Sequence, residues 1–99
     1  MADRVRPEPG YWFDDDWDKI DDDAIHLDIV TGIAVVPMVD QEMVAMLVQS
    51  VHTQAQYRGL ETGTAKADKH QSAMDPQIAR SLARSLLTAA DMVEAKKKN

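Results

Sequence analysis

Apolar residues alternate with polar ones in the first structured stretch that the sequence predicts. The apolar residues occupy every second position: Ile25, Leu27 and Ile29. This period of two is typical of a strand with one buried face. A second run, rich in β-branched residues, covers positions 33–36 and ends at Pro37, which cannot donate a hydrogen bond to a sheet. Because Thr31 and Gly32 between the runs suit a tight turn, the pattern predicts a β-hairpin over residues 25–36.

The next stretch has the periodicity and end signals of a helix. Asp40 is a good N-cap, and Gly59 is a suitable left-handed residue to end a helix over residues 41–58. The apolar positions would cover an arc of about 200°, which is wider than one packing partner needs. They are Met43, Val44, Met46, Leu47, Val48 and Val51. A second packing partner is therefore expected for this helix, and residues 60–74 are expected to form a long loop.

The last helix has the clearest start signal in the chain. Asp75 can cap it, and Pro76 occupies the first helical position, where the missing N–H costs nothing. One face is apolar: Ile78, Ala79, Leu82, Ala83, Leu86, Ala90 and Val93. The periodicity predicts an amphipathic helix from Pro76 to about residue 95.

Together these elements predict an α+β fold, in which a β-hairpin is followed by two amphipathic helices. We expect an acidic, aromatic N-terminal segment over residues 1–23, of which residues 1–10 form an extended or mobile lead-in. Residues 24–95 are expected to form a single small domain. Residues 96–99 form a basic tail, whose lysines suit a helix C-terminus.

Length and composition narrow the function classes. With 99 residues the chain has room for one domain, and it contains no cysteine for a disulfide or a thiolate metal site. No apolar window is long enough to cross a bilayer, and acids stand where a signal peptide would need basic and apolar blocks. The sequence therefore predicts a cytoplasmic protein without membrane association.

The net charge of -6 is concentrated near the N-terminus. Residues 1–23 contain nine acids and three bases, residues 24–58 carry a charge of -2, and residues 59–99 carry +2. A negative surface repels nucleic acid, and the C-terminal excess is too small for a phosphate-binding face. Direct binding to nucleic acid is disfavoured.

We call residues 11–23 the acidic aromatic segment, because they hold four of the five aromatic residues beside seven aspartates. If this segment is helical, Phe13, Trp17 and Ile20 form one apolar stripe flanked by carboxylates. Such a stripe suits a partner's groove with a basic rim. The expected partner-binding residues are Trp12, Phe13, Asp14, Asp15, Asp16, Trp17 and Ile20. The same aromatic side chains could instead pack on their own domain.

The acidic aromatic segment has two other interpretations. Asp14, Asp16 and Asp18 have the spacing of a calcium loop, but Lys19 and Ile25 stand where glycine and a bidentate glutamate belong. The specific calcium interpretation therefore fails. Alternatively, the carboxylates could mimic a nucleic-acid backbone and inhibit a nucleic-acid-binding protein.

The histidines offer a second alternative function. His26 and Asp28 would share the polar face of the first strand, and His52 lies on the predicted first helix. Such residues could act in a small enzyme or bind a metal if they converge. No nucleophile motif, phosphate loop or metal-binding motif accompanies them. We therefore expect no enzymatic activity, no cofactor and no dedicated metal site.

The predicted core is small enough to require association. Only about 50 residues remain after the segment, loop and tail are removed, and isolated domains of that size are often marginal. With the wide apolar face of the first helix, this predicts a homodimer whose interface includes Met43, Met46 and Leu47. The sequence thus favours a non-enzymatic, regulatory protein that binds an unidentified protein partner.

Overall fold

The computed structural model describes residues 2–98 of the chain. Their elements are, in order, β1 Ala2–Val5, β2 Lys19–Asp21, β3 Ala24–Leu27, β4 Ile29–Met38, a 3-10 turn Val39–Gln41, β5 Met43–Val51, α1 Gln54–Thr62, β6 Asp68–Met74 and α2 Pro76–Lys98. The predicted α+β class is confirmed, because two antiparallel three-stranded sheets occur together with two helices.

The two sheets are built from consecutive parts of the chain. The first has the order β1-β3-β2, and the second has the order β4-β5-β6. In the first sheet, Ile25 lies opposite both Val5 on β1 and Lys19 on β2. Asp28 alone separates β3 from β4. One residue therefore connects the two sheets.

The predicted last helix is present with the expected N-terminal cap. Helix α2 begins at Pro76, and the Ile78 N–H donates to Asp75 Oδ1 over 2.8 Å. The carboxylate thus satisfies one of the donors that a helix start leaves unpaired. The helix also takes in the residues expected to form a basic tail, up to Lys98.

The first predicted helix is wrong for most of its length, because β5 occupies Met43–Val51. Asp40 does not cap a helix; it lies in the 3-10 turn between β4 and β5, and Glu42 follows with a left-handed φ of 54°. An apolar run of this length fits a strand covered on both faces as well as it fits a helix. Residues 43–50 are half-buried at every position, as expected of a central strand.

The predicted helix end at Gly59 and the predicted long loop over residues 60–74 are also wrong. Helix α1 runs through Gly59 to Thr62, and Gly63, with φ 77°, is the left-handed residue that ends it. The Thr53 side chain caps its start by accepting from the Gln56 N–H. Residues 60–74 therefore contain the end of α1 and the whole of β6 rather than one loop.

The predicted turn at Thr31 and Gly32 does not exist, because β4 passes through both residues. Gly32 does not have positive φ, so its backbone is not in the left-handed conformation that favours glycine. A side chain at this position would make ordinary van der Waals contact with Gln49. The composition suits a turn, but pairing with β5 keeps the strand extended.

The predicted lead-in contains strand β1, which pairs with β3. The fold therefore begins earlier than residue 11, because hydrogen bonding to β3 orders a segment that lacks apolar periodicity. Met1 of the lead-in and Asn99 of the basic tail lie outside the described residues.

The chain divides into two compact units. The first comprises the chain up to Ile33 together with Val48–His70, and the second comprises Ala34–Leu47 and the chain from Gln71 onward. Among residues with described side chains, the fully buried apolar ones belong to the first unit: Ala24, Ile25 and Val51. No helix within residues 2–98 is both long enough and apolar enough to cross a bilayer.

Candidate functional site

Two buried residues of the first unit position a pair of histidines. Ile25 is buried in β3, and Val51 is buried at the end of β5. His26 and His52 each follow one of these residues. Since side chains alternate along a strand, His26 is directed away from the face that buries Ile25. The small core thus fixes the backbone on which both imidazoles are carried.

Asp28 brings the two histidines together. His26 Nε2 lies 2.8 Å from Asp28 Oδ1, and His52 Nδ1 lies 2.7 Å from the same oxygen. An ionised carboxylate only accepts, so each imidazole N–H donates to it. The two rings are 4.1 Å apart between centroids, at an angle of 47°. We call these three residues the His–Asp–His cluster.

The cluster changes the acidity of its carboxyl group. The hydrogen bond from His52 is the largest cause that lowers the pKa of Asp28 below its ordinary value of 3.8, and the bond from His26 adds to it. Both bonds favour the ionised carboxylate. The Asp28 side chain is 47% exposed, and water weakens the effect of these contacts on stability.

This lowered pKa predicts a loss of stability in acid. Because the pKa of Asp28 is lower in the folded chain than in the unfolded chain, the carboxylate stabilises the fold above about pH 4. That contribution is lost as the pH falls through the folded-state pKa. Urea unfolding of the chelator-treated protein over a series of acidic pH values should therefore show a shallower decline for Asp28→Asn than for wild type. Asp91→Asn on α2 is the control, and equal slopes for wild type and Asp28→Asn would contradict the assignment.

The structure also holds His52 in place through its backbone. The His52 N–H donates to Gln56 Oε1 over 2.7 Å, and Gln56 Nε2 donates to the Lys66 carbonyl over 3.0 Å. Gln56 thus links the end of β5 to the segment that precedes β6. Sequence analysis missed Gln56, because residues 52 and 56 were both assigned to the interior of one helix and no motif marks the glutamine.

The acidic aromatic segment is not the helix that the stripe requires. The Trp17 N–H donates to the Asp14 carbonyl, and the Asp16 N–H donates to Asp14 Oδ1 over 2.9 Å. An aspartate that bonds to the backbone two residues onward favours a turn over a helix. Strand β2 then includes Ile20. The condition under which Phe13, Trp17 and Ile20 would form one helical stripe is therefore not met.

The aromatic rings of this segment divide between two environments. Phe13 is half-buried and its ring centroid lies 5.0 Å from that of Trp17, whereas Trp12 is 77% exposed. Tyr11 and Ile20 are also more than half exposed. Packing within the segment thus explains the partial burial of Phe13, but it leaves most of the surface of Trp12 in water.

Among the described residues, two of the seven aspartates form ion pairs with the lead-in. Arg4 pairs with Asp21, and Arg6 pairs with Asp23. Asp14, Asp15 and Asp16 are exposed on the turn beside the aromatic rings. Three exposed carboxylates outside these two ion pairs are therefore next to Trp12 and Trp17 in the chain.

The expected dimer-interface residues lie on a strand. Met43, Met46 and Leu47 are all on β5, and each is half-buried. The largest exposed apolar surfaces of the second unit are elsewhere. They lie on β4 and its turn, and on α2: Val35, Val36, Val39, Ile78, Leu86, Leu87, Met92 and Val93.

The fold and the cluster define a small α+β protein with a partly exposed His–Asp–His group on its first unit. Comparison of the chain with protein-family models, curated proteins and solved structures gives no match.

Proposed function

We propose that this chain is a non-enzymatic interaction protein that forms a homodimer and binds a different protein through its acidic aromatic segment. The observation that carries the proposal is the second unit's lack of a core. No residue of this unit with a described side chain is fully buried. Hydrophobic burial is the dominant favourable term in folding, so a unit without it needs a partner surface.

Helix α2 offers a continuous apolar face for that partner. At 100° per residue, Ile78, Leu86 and Val93 fall within an arc of about 80°. All three side chains are more than half exposed, and Val93 reaches 67%. A stripe of this width is typical of a helix face that packs on another element. The exposed stripe therefore supports α2 as an interface element.

The occupant that fits best is a second copy of the chain. A unit without its own core needs its partner whenever it folds, and an identical chain is always present when the protein is made.

Sedimentation of the full chain tests the homodimer. We expect the mass of two chains at concentrations of about 1–100 µM, because obligate homodimer interfaces hold well below the micromolar range. The mass of one chain throughout that range would contradict the proposal. A variant that separates the chains is argued in the Discussion.

The exposed tryptophan supports a second interaction, with a different protein. Trp12 is 77% exposed beside the carboxylates of Asp14, Asp15 and Asp16. Tryptophan dominates protein interfaces because it buries a large apolar area. The neighbouring charge favours a partner that has an apolar pocket with a basic rim, and it would speed association.

Replacing Trp12 by alanine should abolish capture of this partner without unfolding the protein. Loss of a tryptophan at the centre of an interface costs at least about 2 kcal/mol, which is about a 30-fold loss of affinity. The measurement is quantitative affinity capture by the full chain from its native cell, followed by titration of the purified partner at several salt concentrations.

Val39→Ala is the matched control, since Val39 is 80% exposed and lies outside the acidic aromatic segment. Equal affinity of wild type and Trp12→Ala for the purified partner would overturn this part of the proposal. A large fall in melting temperature for Trp12→Ala would show instead that the ring stabilises the fold.

The phosphate-mimic alternative has less support than a mixed apolar and acidic interface. Asp21 and Asp23 form ion pairs with arginines of the same chain, which reduces their attraction for a partner's basic surface. The exposed aromatic surface of Trp12 has no counterpart in a phosphate backbone. A mimic would bind with a steep dependence on salt and little dependence on Trp12.

A further inference from the structure

We propose that His26 Nε2, a carboxylate oxygen of Asp28 and His52 Nδ1 form a binding site for a divalent transition-metal ion, with Zn²⁺ as the best fit. Each of the three residues offers one ligand atom, and these atoms all lie within 4.8 Å of one another. The proposal concerns the first unit and is independent of the interactions proposed for α2 and the acidic aromatic segment.

The distances within the cluster are close to those of a metal site. Ligand atoms about 2.0–2.2 Å from a tetrahedral Zn²⁺ are separated by about 3.3 Å. Asp28 Oδ1 lies 2.8 Å from His26 Nε2 and 2.7 Å from His52 Nδ1, so each separation needs to increase by about 0.5 Å. Asp28 and His52 are 47% and 59% exposed, which leaves room for small side-chain rotations.

The donor set selects the class of ion. Imidazole nitrogen suits Zn²⁺, Co²⁺ and Ni²⁺, whereas Ca²⁺ and Mg²⁺ prefer ligands that are all oxygen. Two histidines and one carboxylate form a donor set that occurs in zinc sites with three protein ligands. Such sites keep a fourth position for water or another ligand, and the exposure of His52 gives solvent access to the cluster.

The fold holds the three ligands before any ion binds. His26 is on β3, Asp28 is the connection to β4, and His52 follows β5. The buried neighbours Ile25 and Val51 fix the two histidine positions, and Gln56 accepts from the His52 N–H. Because His52 is 24 residues from Asp28, a shared ion would connect distant parts of the first unit and stabilise it.

A metal-free role for the cluster makes the opposite prediction. Without an ion, the two imidazole N–H groups simply donate to Asp28, and added Zn²⁺ must displace those protons. If the cluster is only this hydrogen-bonded group, Zn²⁺ will have no preference for the chain with all three residues intact. Metal binding and its dependence on each ligand therefore distinguish the two roles.

The experiment is a titration of the full chain with Zn²⁺ by calorimetry, after treatment with a chelator. We expect one ion per chain, and we expect His52→Ala to raise the dissociation constant at least about 100-fold. Even the loss of a residue that only orients a metal ligand lowers metal affinity by about 10–100-fold. His70→Ala is the matched control, since it removes the histidine that lies outside the cluster. It should bind Zn²⁺ as wild type does.

Two further readouts test the same site. Co²⁺ should produce the visible absorption of a bound ion with nitrogen and oxygen ligands in wild type, and this absorption should be lost in His52→Ala. Zn²⁺ at about 100 times its dissociation constant should raise the melting temperature of wild type by about 10 °C or more, but not that of His52→Ala.

His52 is the most exposed member of the cluster, so its substitution is the least disruptive to folding. If His52→Ala nevertheless fails to fold, Asp28→Asn, which keeps an oxygen acceptor, replaces it in every measurement. Equal Zn²⁺ affinity in wild type and the cluster variant would overturn the proposal, as would equal affinity of wild type for Zn²⁺ and Mg²⁺.

Discussion

Replacing Leu86 by aspartate is expected to separate the proposed dimer into single chains. Leu86 lies in the middle of the apolar stripe of α2 and is 56% exposed in the single chain. Burying a leucine contributes about 1.5–3 kcal/mol, and a symmetric dimer contains the position twice. Loss of at least about 3 kcal/mol raises the dissociation constant more than about 100-fold, and the unpaired charges add to this.

Thr88→Asp is the matched control for this prediction. It introduces the same charge two residues further along α2, about 200° around the helix from Leu86. Sedimentation should give the mass of two chains for wild type and Thr88→Asp, and the mass of one chain for Leu86→Asp. Circular dichroism should also show a loss of helix in Leu86→Asp, since the second unit would lose its proposed cover. The same mass for all three proteins would contradict α2 as the interface.

The elements that could be predicted from the sequence are those with local signals. Asp75 marks the start of α2 because its carboxylate can cap the helix, and Pro76 marks it because it lacks the N–H that would be unpaired there; the structure contains that cap. The alternation around His26 correctly predicts a strand there, although β3 ends at Leu27, and the side chains of His26 and Asp28 lie within hydrogen-bond distance.

Elements that depend on distant partners could not be predicted. Residues 43–51 are apolar at almost every position, and it is pairing with β4 and β6 that makes them a strand. For the same reason β4 continues through Gly32, and β1 forms where no periodicity is present. Local composition leaves such segments undecided, and tertiary pairing determines their structure.

The candidate site shows the same division between local and distant information. The sequence identifies His26, Asp28 and His52 as an alternative site, but it predicts that His52 lies in a helix, from which no contact with Asp28 follows. Residues 43–51 form a strand rather than the predicted helix. Because this strand, β5, ends at Val51, His52 lies within hydrogen-bond distance of Asp28. The cluster thus depends on the element that sequence periodicity predicted least well.

The close approach at Gly59 is another feature that only the folded chain reveals. The segment after α1 folds back over this residue, and the amides of Thr64 and Ala65 both donate to the Gly59 carbonyl, over 2.8 and 3.0 Å. A Cβ at position 59 would overlap the Ala65 Cβ and lie 3.2 Å from the Ala65 nitrogen. Glycine is therefore needed inside α1 for close packing, although it weakens the helix.

Substituting Gly59 by alanine is expected to destabilise the first unit by about 1–3 kcal/mol, the usual cost of forcing an extra methyl group into a packed site. Alanine has a higher helix propensity by about 1 kcal/mol, so any net destabilisation understates the steric cost. Urea unfolding gives the free energy for wild type, Gly59→Ala, Ala65→Gly and the double variant. Because the double variant removes the overlapping methyl of Ala65, it should recover most of the loss measured for Gly59→Ala.

Gly32→Ala is the control for this series, since a Cβ there would come no closer than 3.6 Å to a neighbouring side chain and φ is not positive. It should change stability by less than about 0.5 kcal/mol. Wild-type stability in Gly59→Ala would show that the segment after α1 moves away at no cost. If the double variant is no more stable than Gly59→Ala, the backbone of this segment, rather than the Ala65 methyl, is what clashes with a side chain at position 59.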